Sequence, residues 1–359
     1  AVFDIFGRKS VVVFDPDLVG QVLLDKDGRF TRSEIANKML VPALGEGLLT
    51  ISGEQWRAHR KVVARAFRHE ALQTLVPGMH RAATALADRL VDARGADVDV
   101  VPEMMQTTFD VIQTMLFGDA AVTYDQGCVL KDVSSYLGSM GQLDVFDLIP
   151  VVNLIAGLRH VRGYRAARRF RSLADEAIAT IRAQPQDARE PTLAAMLIEA
   201  QDHGNVDGFT DAHVVDNIIT FVGAGHETTS LALSWALHVL SERPGLWAEL
   251  QAEACAVPAA IRGTAEALDH LGLHDRVIRE TMRLYPPVPQ IARTVAKPLR
   301  LGGVTLHADD HVTIAIEPMH LKEEFWPDPY LFDPDRFTED EMASHHRYQY
   351  LPFGGGQHI

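Results

Sequence analysis

The feature that most constrains this chain is a helical pattern of unusual length near its middle. Between Thr210, placed to act as an N-cap, and Arg243, which precedes Pro244, the apolar residues recur at helical spacing without a break. Such a helix spans roughly 50 Å at ~1.5 Å per residue, enough to cross a whole domain. Its middle reads Val222-Gly-Ala-Gly-His-Glu-Thr-Thr229. Gly223 and Gly225 each cost about 1 kcal/mol relative to alanine inside a helix, so something must offset them. One explanation is close packing against another helix, and the other is room made for a ligand. Ala224 and Thr228 stand four residues apart on one face, with Glu227 one residue around. A small residue leaves space, and a hydroxyl one turn later can hydrogen-bond what enters it. The bland alternative bonds Thr228 to its own i−4 carbonyl, which widens the same gap.

Composition bounds the rest. A chain of 359 residues with 47% hydrophobic content has ample material for one large core, and no repeat or low-complexity stretch divides it, so a single domain over residues 1–359 is expected. Lysine and arginine number 34 against 48 acids, a net charge of −14, which excludes nucleic acid as a partner. The one basic run, Arg159–Arg171, reads as a solvated helix face. The longest apolar stretch, Val145–Leu158, is interrupted by Asp147 and Asn153 and follows no basic leader, so it is read neither as a membrane span nor as a signal peptide. Ala1-Val-Phe3 looks like an internal start. Two cysteines, Cys128 and Cys255, make no disulfide framework, and the sixteen histidines form no HExxH cluster. The expectation is a soluble, cytoplasmic monomer.

Local patterns give a mainly α fold with small β-sheets. Lys9–Phe14 reads as a strand, and Asp15-Pro16 as the N-cap and first residue of a helix ending near Leu24. Thr31–Gly53 is rich in Gly and Pro and reads as a loop. Helical patterns then run from Glu54 to Leu284, with breaks expected at Pro102, Pro150, Pro191 and Pro244. Leu299–Leu306 and His311–Ile316 alternate like two strands across a turn, and Phe325–Phe337, with three prolines, reads as ordered coil.

Three further motifs carry chemistry. Glu280-Thr-Met-Arg283 allows a carboxylate and a guanidinium to pair on one helix face. Chance supplies the same spacing at Glu54 and Arg57, but only the later pair is followed by Leu284-Tyr-Pro-Pro-Val288 and then Phe332-Asp-Pro-Asp-Arg-Phe337. Trp56-Arg-Ala-His-Arg60 sets an indole N–H and a guanidinium one turn apart, with a surface cation–π pair as the bland alternative. Leu351-Pro-Phe-Gly-Gly-Gly-Gln-His-Ile359 is a glycine-rich turn.

In this order the motifs resemble the cytochrome P450 family of haem-thiolate monooxygenases, as a bacterial-type soluble member incomplete at both ends. Ala224-Gly225-His226-Glu227-Thr228-Thr229 resembles the family's oxygen-binding groove, which implies that Thr228 steadies activated oxygen and Glu227 takes part in proton delivery. Glu280, Arg283 and Arg336 resemble its buried charged triad, with a structural role. Trp56 and Arg60 resemble a haem clamp, and Arg293 matches another position that reaches a haem propionate. The last motif resembles the start of the cysteine loop, with Phe353 and Gly356 in register. His358 stands where the family usually has arginine, and the axial cysteine is expected immediately after Ile359. The resemblance implies a triangular, prism-like helical domain with a β-rich region, haem b as cofactor, and insertion of one atom of O2 into a lipophilic small molecule. Electrons come from a ferredoxin with its reductase. Phe221, Val222, Val288 and Ile291 are the candidate pocket residues, for which core packing is an equal explanation. The competing reading is a non-catalytic fragment or pseudoenzyme, because the axial cysteine is not among these residues.

Overall fold

A computed structural model of the chain describes residues 1–5, 7–64, 67–118, 161–185, 189–190, 192–202 and 208–356. Cys128, Pro150, Pro191, His358 and the apolar stretch Val145–Leu158 lie outside the described residues. The chain divides into two compact units. One contains residues 1–36 and 231–359, and the other residues 37–230.

The first unit is built on a five-stranded sheet of order β1-β2-β7-β4-β3. Strands β1 (Val2–Ile5) and β2 (Arg8–Val13) form a hairpin turning at Gly7, whose φ is 81°. Then comes helix α1 (Pro16–Leu24), where the Asp15 carboxylate accepts from the Leu18 N–H at 3.1 Å and Pro16 opens the first turn, as the sequence predicts. Strand β3 (Phe30–Arg32) and helix α2 (Glu34–Leu44) occupy what the sequence suggests is a loop. Pro42 hides α2 from a pattern reading, yet it falls in the last turn, where a proline costs only one ladder hydrogen bond.

In the second unit follow α3 (Gly53–Val63), α4 (His69–Gln73), α5 (Val76–Asp92), α6 (Val100–Phe117), α7 (Val161–Ala183) and α8 (Leu193–Asp202). Pro102 does not break α6; it sits in the first turn, whose N–H groups have no intrahelical acceptor in any case. The long helix α9 (Asp211–Ser241) has the predicted length within two residues and passes from the second unit into the first at Ser230-Leu231. At its start the Thr210 N–H donates to His213 Nδ1 at 3.0 Å, and the Thr210 carbonyl accepts from Val214. The core of this unit gathers α6, α7, α8 and α9 around Leu116, Leu197, Ile198, Val214 and Ile218. Arg168 and Arg169 of the basic run are exposed, as a solvated face requires, whereas Arg171 pairs at 2.5 Å with the buried Asp216 of α9.

Back in the first unit come α10 (Pro244–Ala256), with Pro244 at its first residue, and α11 (Gly272–Leu284). The β-rich end differs from the two strands expected. Strand β4 (Gln290–Val295) joins the main sheet, and β5 (Leu299–Leu301) with β6 (Val304–Leu306) makes a separate hairpin. Its turn is Gly302-Gly303, both at positive φ. Strand β7 (His311–Ala315) lies between β2 and β4, parallel to the first and antiparallel to the second. The alternation correctly marked these segments as strands, but pairing partners distant in sequence leave no local signal. After α12 (Ile316–His320), Phe325–Phe337 is the expected coil, ending in a 3-10 turn at Pro334–Phe337, and α13 (Glu339–Ser344) follows.

Candidate active site

Each unit contributes its own set of candidate residues. In the first, the centre is the Glu280–Arg283 pair of α11, both side chains fully buried. Arg283 Nε donates to Glu280 Oε2 at 2.6 Å and Nη2 to Oε1 at 2.8 Å. The other three N–H donors go to backbone carbonyls: Nη1 to His320 at 2.9 Å and Pro329 at 2.7 Å, and Nη2 to Leu331 at 3.2 Å. All five donors are used, which is the condition under which a guanidinium can be buried. The Asp333 N–H also donates to Glu280 Oε1 at 2.9 Å, and Arg336 stands 3.6 Å from the same oxygen while bonding the Asp328 carbonyl. Burial pushes the Glu280 carboxyl pKa up; the Arg283 and Asp333 bonds and the Arg336 charge oppose it. The look-alike pair Glu54–Arg57 is an exposed ion pair on α3, worth little.

The glycine loop begins at the buried Leu351. Gly354 and Gly356 both have positive φ, at 75° and 80°. A Cβ on Gly356 would stand 2.2 Å from the Leu23 carbonyl oxygen at the end of α1, so no other residue fits there. Phe353 is exposed on this turn. Arg293 lies half-buried on β4, and directly opposite it on β3 is Arg32, a residue the sequence reading missed. Burial and the Arg293 charge lower the Arg32 pKa to about 10, and burial lowers that of Arg293. Two guanidiniums side by side on neighbouring strands repel each other and favour a dianionic occupant; the two carboxylates of a haem fit that demand. Nothing in the sequence pairs Arg32 with Arg293, because β3 lies in a stretch with loop composition.

Of the pocket candidates in this unit, Val288 is exposed, and Ile291 packs on the sheet core beside Gly354.

In the second unit α9 runs unbroken through Gly223–Thr229. A Cβ on Gly225 would meet Ile112 Cδ1 at 2.5 Å, so this glycine lets α6 approach closely. His226 beside it is fully buried against Phe109, and the Thr108 hydroxyl donates to its carbonyl at 3.1 Å. Ala224 and Thr228 occupy a different, more open face. Thr228 Oγ1 donates to the Ala224 carbonyl at 2.7 Å, the local bond anticipated as the bland alternative. That commits its proton and leaves its lone pairs free to accept. The half-buried Glu227 has its pKa raised by burial; its backbone carbonyl accepts from the Ser230 hydroxyl at 2.8 Å, and among the described residues its carboxyl makes no hydrogen bond or ion pair. Trp56 and Arg60 are half-buried one turn apart on α3. Between them His59 is buried against Phe209 and His213, and burial lowers its pKa to about 4. Phe221 packs on Phe67 at 5.6 Å, whereas Val222 is 2% exposed inside the helical core.

Comparison with known proteins decides the family. The sequence model of the cytochrome P450 family matches residues 3–359. The chain belongs to the cytochrome P450 family. This P450 is 28% identical to cytochrome P450 CYP72A616 of Paris polyphylla, over 97% of this chain and 69% of that protein. It is 27% identical to cytochrome P450 4A24 of Sus scrofa, over 97% and 71%. Among solved structures it superimposes on the cytochrome P450DA heme domain with a TM-score of 0.85, at 24% identity over 100% of this chain and 78% of that one. The retinoic acid-bound cyanobacterial CYP120A1 gives 0.82 at 25% identity, over 99% and 78%. The mainly α fold with small sheets is therefore that of a P450. Family members bind haem and act as monooxygenases on lipophilic substrates with electrons from a partner, and the comparisons lend no support to the non-catalytic alternative. Among the described residues no helix is long and apolar enough to cross a membrane.

Two outcomes follow for stability. Replacing Arg283 by methionine leaves the Glu280 carboxylate buried without its partner, so equilibrium denaturation should show a loss of about 3–5 kcal/mol or no folded protein; a loss below about 1 kcal/mol contradicts the buried-pair account. His320, fully buried, has its pKa lowered from 6.5 to about 3, chiefly by burial. The unfolded chain then binds the extra proton, so this contribution to stability is intact above pH 6.5 and is lost as pH falls toward 3. The slope is up to about 1.4 kcal/mol per pH unit. An acid-unfolding series on His320→Gln should be shallower by up to one proton, and an unchanged slope contradicts the assignment.

Proposed function

We propose that this chain forms the catalytic body of a haem b monooxygenase, one P450 domain over residues 1–359, that oxidises a lipophilic small molecule with O2. The observation that carries the reading is that two consecutive residues of α9 bear complementary groups: the Glu227 carboxyl has its pKa raised by burial, and the Thr228 hydroxyl has its own proton committed to Ala224. A hydroxyl in that state accepts a hydrogen bond from whatever brings a proton, and a carboxyl with raised pKa is protonated more often near neutral pH. Thr228 therefore orients the incoming proton and Glu227 supplies it, with Ala224 as the small residue that leaves the space.

Haem, when bound, supplies the oxygen-activation and insertion chemistry. Arg293, with Arg32 opposite it, would be a cation for its propionates; by the family resemblance Arg60 would be a further cation, and Trp56 and His358 would be N–H donors. Phe353 and Gly356 would shape the loop facing it. Glu280, Arg283 and Arg336 hold that loop's surroundings and touch no substrate.

The substrate class rests on Phe221, Val288 and Ile291, all apolar, and on what two relatives are named for. One is a taurochenodeoxycholic 6 alpha-hydroxylase of Sus scrofa, 26% identical over 97% of this chain and 71% of that protein, and the other is the P450 bound to retinoic acid. A ferredoxin with its reductase is the electron source in this reading. The monomer acts in a reducing compartment, for which the free, exposed thiol of Cys255 speaks.

Thr228→Ala should leave oxygen consumption running while product per O2 falls. Glu227→Gln should slow turnover by about 10²-fold or more and flatten its pH profile. Unchanged coupling in the first and an unchanged profile in the second would refute the relay.

A further inference from the structure

We propose that His320 is a positioning residue of this P450, the side chain through which the buried Glu280–Arg283 pair sets the starting point of the glycine loop. The inference rests on the monooxygenase reading only for what the loop is for; the linkage itself stands on geometry within the first unit.

His320 closes α12 and is fully buried. Its Nδ1 lies 3.2 Å from the Arg283 carbonyl, and its Nε2 lies 2.9 Å from the Leu351 N–H. A carbonyl only accepts and an N–H only donates, so Nδ1 carries the proton and Nε2 the lone pair. The ring is a neutral imidazole in one fixed tautomer. The same residue's carbonyl accepts from Arg283 Nη1, so His320 is bound to Arg283 through both main chain and side chain. Its ring stacks on Tyr350 at 5.3 Å, and the Tyr350 hydroxyl donates to the Arg279 carbonyl at 2.9 Å. Helix α11 thus ties two consecutive residues, Tyr350 and Leu351, just before the turn in which the Gly354 N–H bonds the Leu351 carbonyl.

A segment containing three successive glycines has little stiffness of its own, so its path is set by what anchors its ends. Gly354–Gly356 abut Ile291 and Leu23. Leu351 is the other anchor, and its buried N–H has the His320 nitrogen as acceptor. The charged group facing the ring is Arg283 of α11, itself paired with Glu280, and Trp326 and Tyr350 are further ring neighbours. A cationic imidazole here would lose the Nε2 acceptor and face Arg283, which is why the tie requires the neutral form.

The experiment compares His320→Gln with His320→Leu in the natural full-length protein by backbone hydrogen exchange. Glutamine retains one donor and one acceptor, whereas leucine retains neither. Exchange over residues 351–356 should stay within about threefold of wild type in the glutamine variant and rise about tenfold or more in the leucine variant, the effect of leaving a buried N–H without its acceptor. Exchange in α9 should not change. In the haem-loaded protein the ferric absorption band should broaden or shift in His320→Leu and not in His320→Gln. Equal exchange in the two variants, or wild-type exchange in His320→Leu, overturns the proposal. If His320→Leu does not fold, His320→Asn serves, since it keeps a donor for Arg283 but lacks the reach to Leu351; protection lost over 351–356 with α11 still protected supports the tie, and uniform loss overturns it. Absence of haem uptake by the wild type would sink the monooxygenase reading and leave the exchange result standing.

Discussion

A carboxylate and a guanidinium, both wholly removed from solvent, face each other one turn apart on α11. Burying two charges costs several kcal/mol per ion unless every donor and lone pair is matched. Here the match is complete on the guanidinium: two bonds to Glu280 and three to the carbonyls of His320, Pro329 and Leu331. The Pro329 and Leu331 carbonyls belong to irregular chain that has no ladder of its own, and His320 ends α12, so the arginine gives these carbonyls the hydrogen bonds a helix or sheet would supply internally. The coil Phe325–Phe337 is ordered for this reason, with the Asp333 N–H on Glu280 and the Arg283 guanidinium over the Trp326 ring as additional ties.

Close approach is the second constraint. At Gly356 a Cβ would collide with the Leu23 carbonyl, and at Gly20 it would meet the Tyr348 ring at 2.8 Å, so α1 lies hard against the segment leading to the glycine loop. In the helical unit Gly225 plays the same part toward Ile112. The motif is thus divided around the helix: Gly225 and His226 lie on its packed face, while Ala224 and Thr228 lie on a more open one.

What could be read from the sequence follows from the range of the interactions. The Asp15 cap, the long helix and the i,i+3 ion pair are local, and the chain states them in adjacent residues. The strands of the main sheet are also visible as alternation, but β2 pairs with β7 and β3 with β4 across most of the chain, so order and register are not. The same limit hid the site's second cation: Arg293 follows a recognisable motif, whereas Arg32 acquires meaning only when β3 is laid beside β4. Val222 shows the reverse limit, since an apolar residue beside a functional motif has no mark that separates core from pocket. Glu54–Arg57 and Glu280–Arg283 are identical in spacing and opposite in burial, and only the residues downstream of the second distinguish them.

In the proposed reading, haem would be the bound group, and Arg32 and Arg293 would be cations for its carboxylates. The most direct measurement is the optical spectrum of the natural full-length protein, reduced under carbon monoxide. The account predicts a haem band of the cysteine-thiolate type. A protein that takes up no haem, or one whose band is of the imidazole-ligated type, would contradict it.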